Sequence, residues 1–247
     1  MNYLMDMHTH TIASGHAYST LQENIAAARE RGLKFLGLSE HGPGMIGGPQ
    51  PIFFQNYKII PREYGDLRLF CGIEANITDY EGHLDLDAFT MERMDYCIAS
   101  MHTLTVTPGS VRENTLASIH AMENPLVKIL GHPDDSRYPL DYEELVRAAA
   151  QLHVALEVNN SSLHPLSSRQ GARENIRTLL KTCMRYETSV ILGTDSHICS
   201  SIGDFTQADQ LIREMDFPQE LIINTDPARI REVVNIEVDA AAQESGR

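Results

Sequence analysis

Three scarcities bound this chain before any motif is considered. Basic residues are few: 20 lysines and arginines face 34 aspartates and glutamates, a formal charge of −14, with no Lys/Arg cluster to offset it. Most of such a surface repels phosphodiester backbones, which disfavours nucleic acid as a partner. Long apolar runs are missing too. None approaches the roughly 20 residues that span a bilayer, so no membrane segment is expected. Paired cysteines are the third absence. Cys71, Cys97, Cys183 and Cys199 show no framework spacing, and the first two lie in apolar runs where a thiol is a small buried hydrophobe. Cys199, two residues past His197, is near candidate ligands, but a ligand role for it is disfavoured. Met1-Asn2-Tyr3 leads straight into a strand-like run. That leaves no room for a signal peptide, and the expectation is a cytoplasmic protein.

What is present is repetition of structure without repetition of sequence. Short apolar runs recur about every thirty residues: Leu4–Met7, Phe35–Leu38, Leu67–Ile73, Tyr96–Ala99, Val127–Leu130, Val154–Val158 and Val190–Leu192. Most lack clean alternation, as expected for strands covered on both faces. Helical patterns fall between many of them. Thr20-Leu21-Gln22-Glu23 is a capping box opening a helix that ends near Arg31-Gly32, and Asp141 is placed to cap the Ala-rich segment through Leu152. Residues 171–186 and 204–215 are also amphipathic. Gly42 to Asp66, rich in glycine and proline, reads as a long active-site loop with room for one helical turn. One domain is expected over residues 1–239, followed by a flexible tail at 240–247.

Strand-helix alternation implies parallel strands with right-handed crossovers, in either a closed barrel or an open doubly wound sheet. Candidate ligands decide between them. His8, His10 and His16 follow the first run, His41 the second, Glu74 the third, His102 the fourth, His132 the fifth, and Asp195 with His197 the seventh. In a closed barrel all these strand ends border one mouth, whereas an open sheet strings them along an edge. Seven strands rather than eight predict a distorted, TIM-like (β/α)7 barrel. Imidazole nitrogens and carboxylate oxygens are the usual ligands of zinc, iron and manganese. Nine are too many for one ion, so the pattern points to a multinuclear metal hydrolase. A single histidine at a strand end is commonly structural; convergence of seven of the eleven is what argues otherwise. His83, His120, His153 and His164 lack this relation and read as ordinary helix or loop residues.

Neighbouring residues carry two readings each. Asp6 shares a strand side with His8 and would orient a ligand ring from behind, or is a barrel-bottom charge. Glu40 beside His41 would act similarly, or is a solvated acid. Arg169, in the turn after the sixth run, would hold a phosphate at the barrel mouth, or is merely solvated. Asn159, Asn160 and Ser161 would bond substrate or satisfy the strand end.

Taken together, Asp6-Met7-His8-Thr9-His10-Thr11, Ser39-Glu40-His41-Gly42, Gly72-Ile73-Glu74-Ala75-Asn76, Met101-His102, Gly131-His132-Pro133 and Gly193-Thr194-Asp195-Ser196-His197 resemble the PHP (polymerase and histidinol phosphatase) superfamily. His16-Ala17-Tyr18-Ser19-Thr20 and Glu157-Val158-Asn159-Asn160-Ser161-Ser162 are most similar to its small YcdX-type phosphatases. The resemblance implies a (β/α)7 barrel with three divalent ions, zinc first, with iron or manganese as alternatives. It implies one ion on His8, His10, Glu74 and Asp195, a second on the bridging Glu74 with His102 and His132, and a third on His16, His41 and His197. The family usually has Thr-Asp-His where this chain has Ser39-Glu40-His41, which places the role of the acid in doubt. The implied activity is hydrolysis of small phosphomonoesters by a metal-bridging hydroxide, in a monomer or small homo-oligomer. Two rivals remain. One is a PHP-type exonuclease or phosphodiesterase, disfavoured by the charge and the lack of a polymerase region. The other is a non-catalytic metal-binding regulatory protein, disfavoured by the intact ligand set. A related amidohydrolase would commonly use a bridging lysine where His102 stands.

Overall fold

The computed structural model describes residues 1–236, so the expected tail at 240–247 and the end of the expected domain lie outside the described residues. Seven parallel strands follow one another around the sheet in sequence order: β1 (Met5–Asp6), β2 (Phe35–His41), β3 (Leu67–Asn76), β4 (Cys97–Ser100), β5 (Val127–Leu130), β6 (Ala155–Asn159) and β7 (Val190–Gly193). A two-residue strand, Glu63–Tyr64, pairs antiparallel with β3. Between and after them run α1 (Leu21–Glu30), α2 (Pro51–Gln55), α3 (Ala88–Met91), α4 (Val111–Met122), α5 (Tyr142–Leu152), α6 (Ala172–Tyr186) and α7 (Thr206–Glu214). This is the expected distorted (β/α)7 barrel. The Thr20/Glu23 capping box opens α1, and Asp141 caps α5 by accepting from Glu143 and Glu144 backbone N–H groups.

Side chains complete the ring where strand pairing stops. Among the described residues β1 and β7 share no ladder; an isolated parallel bridge joins Thr9 to Ser196, with His10 N donating to Ser196 O at 2.8 Å. Below it, Asp6 accepts from Thr194 Oγ1 at 2.5 Å and from the Thr194 and Gly203 amides. Lower still, buried Asn224 accepts from Leu192 N and donates to Met5 O and Leu192 O, while its own carbonyl takes Leu4 N. Three polar clamps thus replace the missing rungs, each satisfying main-chain groups that burial would otherwise leave unpaired.

Two apolar layers lie on either side of the ring. Inside, Met5, Met7, Phe35, Phe70, Tyr96 and Ile129 pack with Ile223, Ile230 and Val234 of the C-terminal segment. Tyr96 donates to Met7 O at 2.8 Å, and Gly37 and Gly72 have no side chain because the Tyr96 ring fills the space. Outside, alternate residues of the strands meet the helices in a larger cluster that includes Leu36, Leu69, Ile73, Leu145, Leu179 and Leu211. Burial on both faces explains why the strand sequences do not alternate.

Two expectations need correction. Residues 42–66 hold more structure than one helical turn: α2, a 3₁₀ turn at Asn56–Ile59, and the antiparallel pair with β3. Strands β2 and β3 also run further than their apolar cores, so His41 and Glu74 lie within them and are paired across the ladder. The clamp at Asn224 generates a prediction. Asn224→Ala leaves buried main-chain groups of β1 and β7 unpaired and should cost about 3 kcal/mol of stability. A urea titration should show a lower midpoint with an unchanged slope; an unchanged midpoint would show that the closure does not depend on it.

Candidate metal centre

All nine expected ligand residues meet at one end of the barrel. The floor is buried: His8, His10, His41, Glu74, His132 and Asp195 are each at most 6 % exposed. His102 and His197 are partly exposed, and His16 stands at the open edge. Glu74 is the hub. Its Oε1 lies 3.4 Å from His8 Nε2, 3.3 Å from His102 Nε2 and 2.8 Å from His132 Nε2, and its Oε2 lies 2.6 Å from His41 Nδ1 and 3.5 Å from His10 Nε2. Asp195 Oδ1 lies 3.3 Å from His10 Nε2 and 3.6 Å from His8 Nε2. His16 and His197 meet through their Nε2 atoms at 3.0 Å.

The proton positions of five rings follow from what stands behind them. His8 Nδ1 meets Glu157 Oε1 at 2.7 Å, His16 Nδ1 meets Ser14 O at 3.1 Å, His102 Nδ1 meets Asn76 Oδ1 at 2.7 Å, and His197 Nδ1 meets Asp195 O at 3.0 Å. Each partner only accepts, so Nδ1 carries the hydrogen. His10 Nδ1 lies 3.2 Å from Ser14 Oγ, whose own proton goes to Glu40 Oε2 at 2.5 Å. The serine oxygen is left to accept from His10 and from the His41 amide. In all five rings Nε2 therefore faces the centre as a lone pair when the ring is neutral, the arrangement that metal-binding imidazoles require.

Those lone pairs fit cations. Nε2 of His8, His10 and His41 are buried without a hydrogen-bond partner, and His41 Nδ1 and Glu74 Oε2, although 2.6 Å apart, do not meet in hydrogen-bond geometry. Five unsatisfied polar atoms in one buried cluster would carry a heavy desolvation cost unless something positive shares them. Ligand atoms close into three overlapping groups, His8-His10-Glu74, His41-Glu74-His102 and His10-His41-His197. Electrostatics agree. Burial alone would raise Glu74, but His41, His8 and His102 outweigh it and hold the carboxyl well below its usual range. Asp195 is lowered in the same way, with His8 and Arg169 overcoming burial. Burial, reinforced by His41 and His197, pushes His10 well below the ordinary imidazole range and keeps it neutral. At His8 burial opposes charge, yet Glu157, Glu74 and Asp195 prevail and raise it. The field that favours an imidazolium there equally favours a metal ion in place of the proton.

The backbone is bent to serve this end. His132 and Asp195 hold φ of 28° and 50°, a region that residues with a Cβ seldom adopt. The His132 amide is held by Glu157 Oε2 at 2.7 Å. Gly193 is required because a Cβ there would collide with Glu157 Oε1 on its way to His8.

Residues expected around the ligands divide sharply. Asp6 does not orient a ring. The regular strand ends at Asp6, so the two-residue period does not carry to His8, and the carboxylate clamps Thr194 and Gly203 instead. Glu40 accepts from Thr11 and Ser14 and reaches His10 only through the serine. Neither asparagine lines the cavity. Asn159 is fully buried, donating to Glu157 and Asp195 and accepting from Ser162 and Arg169. Asn160 Oδ1 accepts from the Gln207 and Ala208 amides in the first turn of α7. Of these candidates Arg169 and Ser161 line the cavity above the floor, Arg169 with its Nη2 2.9 Å from Asp195 Oδ2 and its Nη1 on Asn159 and Ser162. Glu157, Asn76 and Ser14 were not singled out in the sequence as orienting residues. The signal for Glu157 was an acid in the middle of an otherwise apolar strand, a place where an unpaired carboxylate is not tolerated.

With this geometry in view, comparison with known proteins is informative. The family model described as PHP domain matches residues 6–163. The chain belongs to the PHP domain family. A probable phosphatase of Clostridium botulinum (strain Okra / Type B1) is 45 % identical over 232 residues, covering 94 % of each chain. A probable phosphatase of Clostridium novyi (strain NT) is 44 % identical over 230 residues, covering 93 % of each. Among solved structures, a histidinol phosphate phosphatase of Lactococcus lactis aligns with a TM-score of 0.59 at 21 % identity, covering 88 % of this chain and 95 % of that one, and shares the fold. This PHP protein is an enzyme of the metal-dependent hydrolase class. Among its described residues no helix is long and apolar enough to cross a membrane.

Glu157→Gln keeps the shape but weakens the hold on His8 Nδ1 and on the His132 amide. Metal affinity should fall about 10- to 100-fold, read as metal content after competition with a chelator. Equal retention by variant and parent would remove Glu157 from this role.

Proposed function

We propose that the protein is a metal-dependent phosphomonoesterase acting on small phosphorylated substrates, with three divalent ions held by the nine side chains. The observation that carries this reading is the convergence of unpartnered imidazole nitrogens, Glu74 and Asp195 at the floor of a cavity that also presents Arg169. In this assignment His8, His10, Glu74 and Asp195 hold one ion, Glu74, His102 and His132 a second, and His16, His41 and His197 a third. The three overlapping ligand groups support that number, although they divide His10 and His41 differently. Zinc is the first choice because the donors are mainly imidazole with carboxylate, and iron or manganese would accept the same set. The structural neighbour was solved with zinc, L-histidinol and phosphate. The chemistry such ions supply is neutralisation of phosphoryl charge and acidification of water, whose pKa falls to about 7.

The chain itself positions. Arg169 spends three of its five N–H groups on Asn159, Ser162 and Asp195, which fixes its plane and leaves two for phosphoryl oxygens. Glu157, Ser14 and Asn76 keep the rings turned toward the floor. The charge of −14 argues against long polyanions and for a compact phosphate. Four unpaired thiols agree with a reducing, cytoplasmic setting.

The test couples elemental analysis with a panel of phosphomonoesters, single-stranded DNA and amides. Inorganic phosphate should be released from monoesters alone, should stop on full metal removal, and should return when zinc, iron or manganese is restored. His8→Ala and Asp195→Ala should each lower turnover roughly a thousandfold, since metal charge contributes several kcal/mol to the transition state. Turnover that survives complete metal removal would overturn the reading. Fewer than two bound equivalents would favour a regulatory metal-binding protein.

A further inference from the structure

The cavity above the cluster has a volume of about 690 Å³, within the range of sites that hold a whole small molecule and not just a phosphoryl group. Its outer wall is unusual. Ile46, Leu104 and Leu166 are 76 %, 60 % and 88 % exposed, come from the loops after β2, β4 and β6, and line this one cavity together with Met101 and Tyr138. Large apolar side chains scattered singly on a surface need no explanation. Three that gather around one mouth from separate loops form a surface suited to being covered.

The charged groups of the same wall point in one direction. The lining residues include two carboxylates, Asp135 and Asp195. Asp135 takes Arg137 through both Nε, at 2.8 Å, and Nη2, at 2.5 Å, and Asp195 takes Arg169. Neither is left to pair with an ammonium group, because each already holds an arginine.

Resting on the phosphatase reading, we propose that the preferred substrates are phosphomonoesters whose alcohol part is uncharged and apolar, and that Leu104 and Leu166 select it. A cationic alcohol part would lose hydration without gaining a partner, whereas an apolar one removes three exposed side chains from water.

The test compares benzyl phosphate with its 4-aminomethyl analogue, which breaks the same bond, using glycerol 2-phosphate as a compact polar reference. Metal-loaded protein should favour benzyl phosphate over the amine by about tenfold in kcat/KM. Replacing both leucines, Leu104→Ser with Leu166→Ser, should raise KM for benzyl phosphate on the order of fivefold more than for glycerol 2-phosphate. Methionine at both positions should restore the parent ratio. Hydrolysis that favours the amine or ignores it, or a serine variant that affects both esters alike, would overturn the inference while leaving the phosphatase reading intact. Failure to hydrolyse any monoester would overturn both.

Discussion

Everything at the barrel mouth depends on where the imidazole protons sit. Seven rings and two carboxylates converge there, most of them buried, and a neutral imidazole offers one lone pair and one N–H with nothing in its shape to choose between them. Acceptors behind the rings make that choice: Glu157 for His8, Ser14 Oγ for His10, Ser14 O for His16, Asn76 for His102, and the Asp195 carbonyl for His197. With Nδ1 occupied, Nε2 has one direction left. Were the tautomers reversed, the floor would present N–H groups to one another and repel any cation. Glu40 shows how far back the control reaches, because by taking the Ser14 proton it frees the serine oxygen to accept from His10.

That control needs strand ends held in fixed relation, and the barrel achieves it at its weakest seam. His8 and His10 follow β1, Asp195 and His197 follow β7, and these strands lack a shared ladder among the described residues. Asn224, the Asp6–Thr194 pair and the Thr9–Ser196 bridge stand in for it at three heights. An irregular seam also lets His8 and Asp195 leave strand geometry and turn into the mouth, which a continuous ladder would prevent. Asp195, at φ 50°, sits at the point where this freedom is used.

The sequence made the ring of ligands legible because each is a chemically distinctive residue at the end of an apolar run, and because strand-helix alternation leaves parallel strands few arrangements. Supporting residues were harder to read. Asn76 and Ser14 are common residue types whose task depends on what lies behind them across the sheet. Asp6 misled because a two-residue period was extended past a strand that stops at Asp6 itself. Asn159 and Asn160 looked available to substrate, but the Asn159 amide is taken by Glu157 and Asp195, and the Asn160 side-chain oxygen accepts from the first turn of α7. Helix α4 carried a weak amphipathic pattern because its buried face includes Asn114, Thr115 and Ser118, although Ser110 and Glu113 form a complete capping box.

On the phosphatase reading, charge explains how an acidic protein would suit an anionic substrate. Asp195 is divided between two duties: Oδ1 faces His8, His10 and His197, and Oδ2 is taken by Arg169 and Asn159. A carboxylate already shared with a guanidinium donates less to a metal, so a bound cluster would keep more of its positive charge. Under the three-ion reading, six positive charges meet only Glu74 and Asp195 as anionic ligands, and Arg169 adds another cation beside them. The floor is then strongly electropositive while the chain as a whole carries −14. A long polyanion would have to lie along the acidic exterior to reach such a floor, and its repulsion grows with every phosphate outside the mouth. On that reading a compact dianion would enter entirely within the cationic region, so the same charge distribution that repels a strand would admit a monoester.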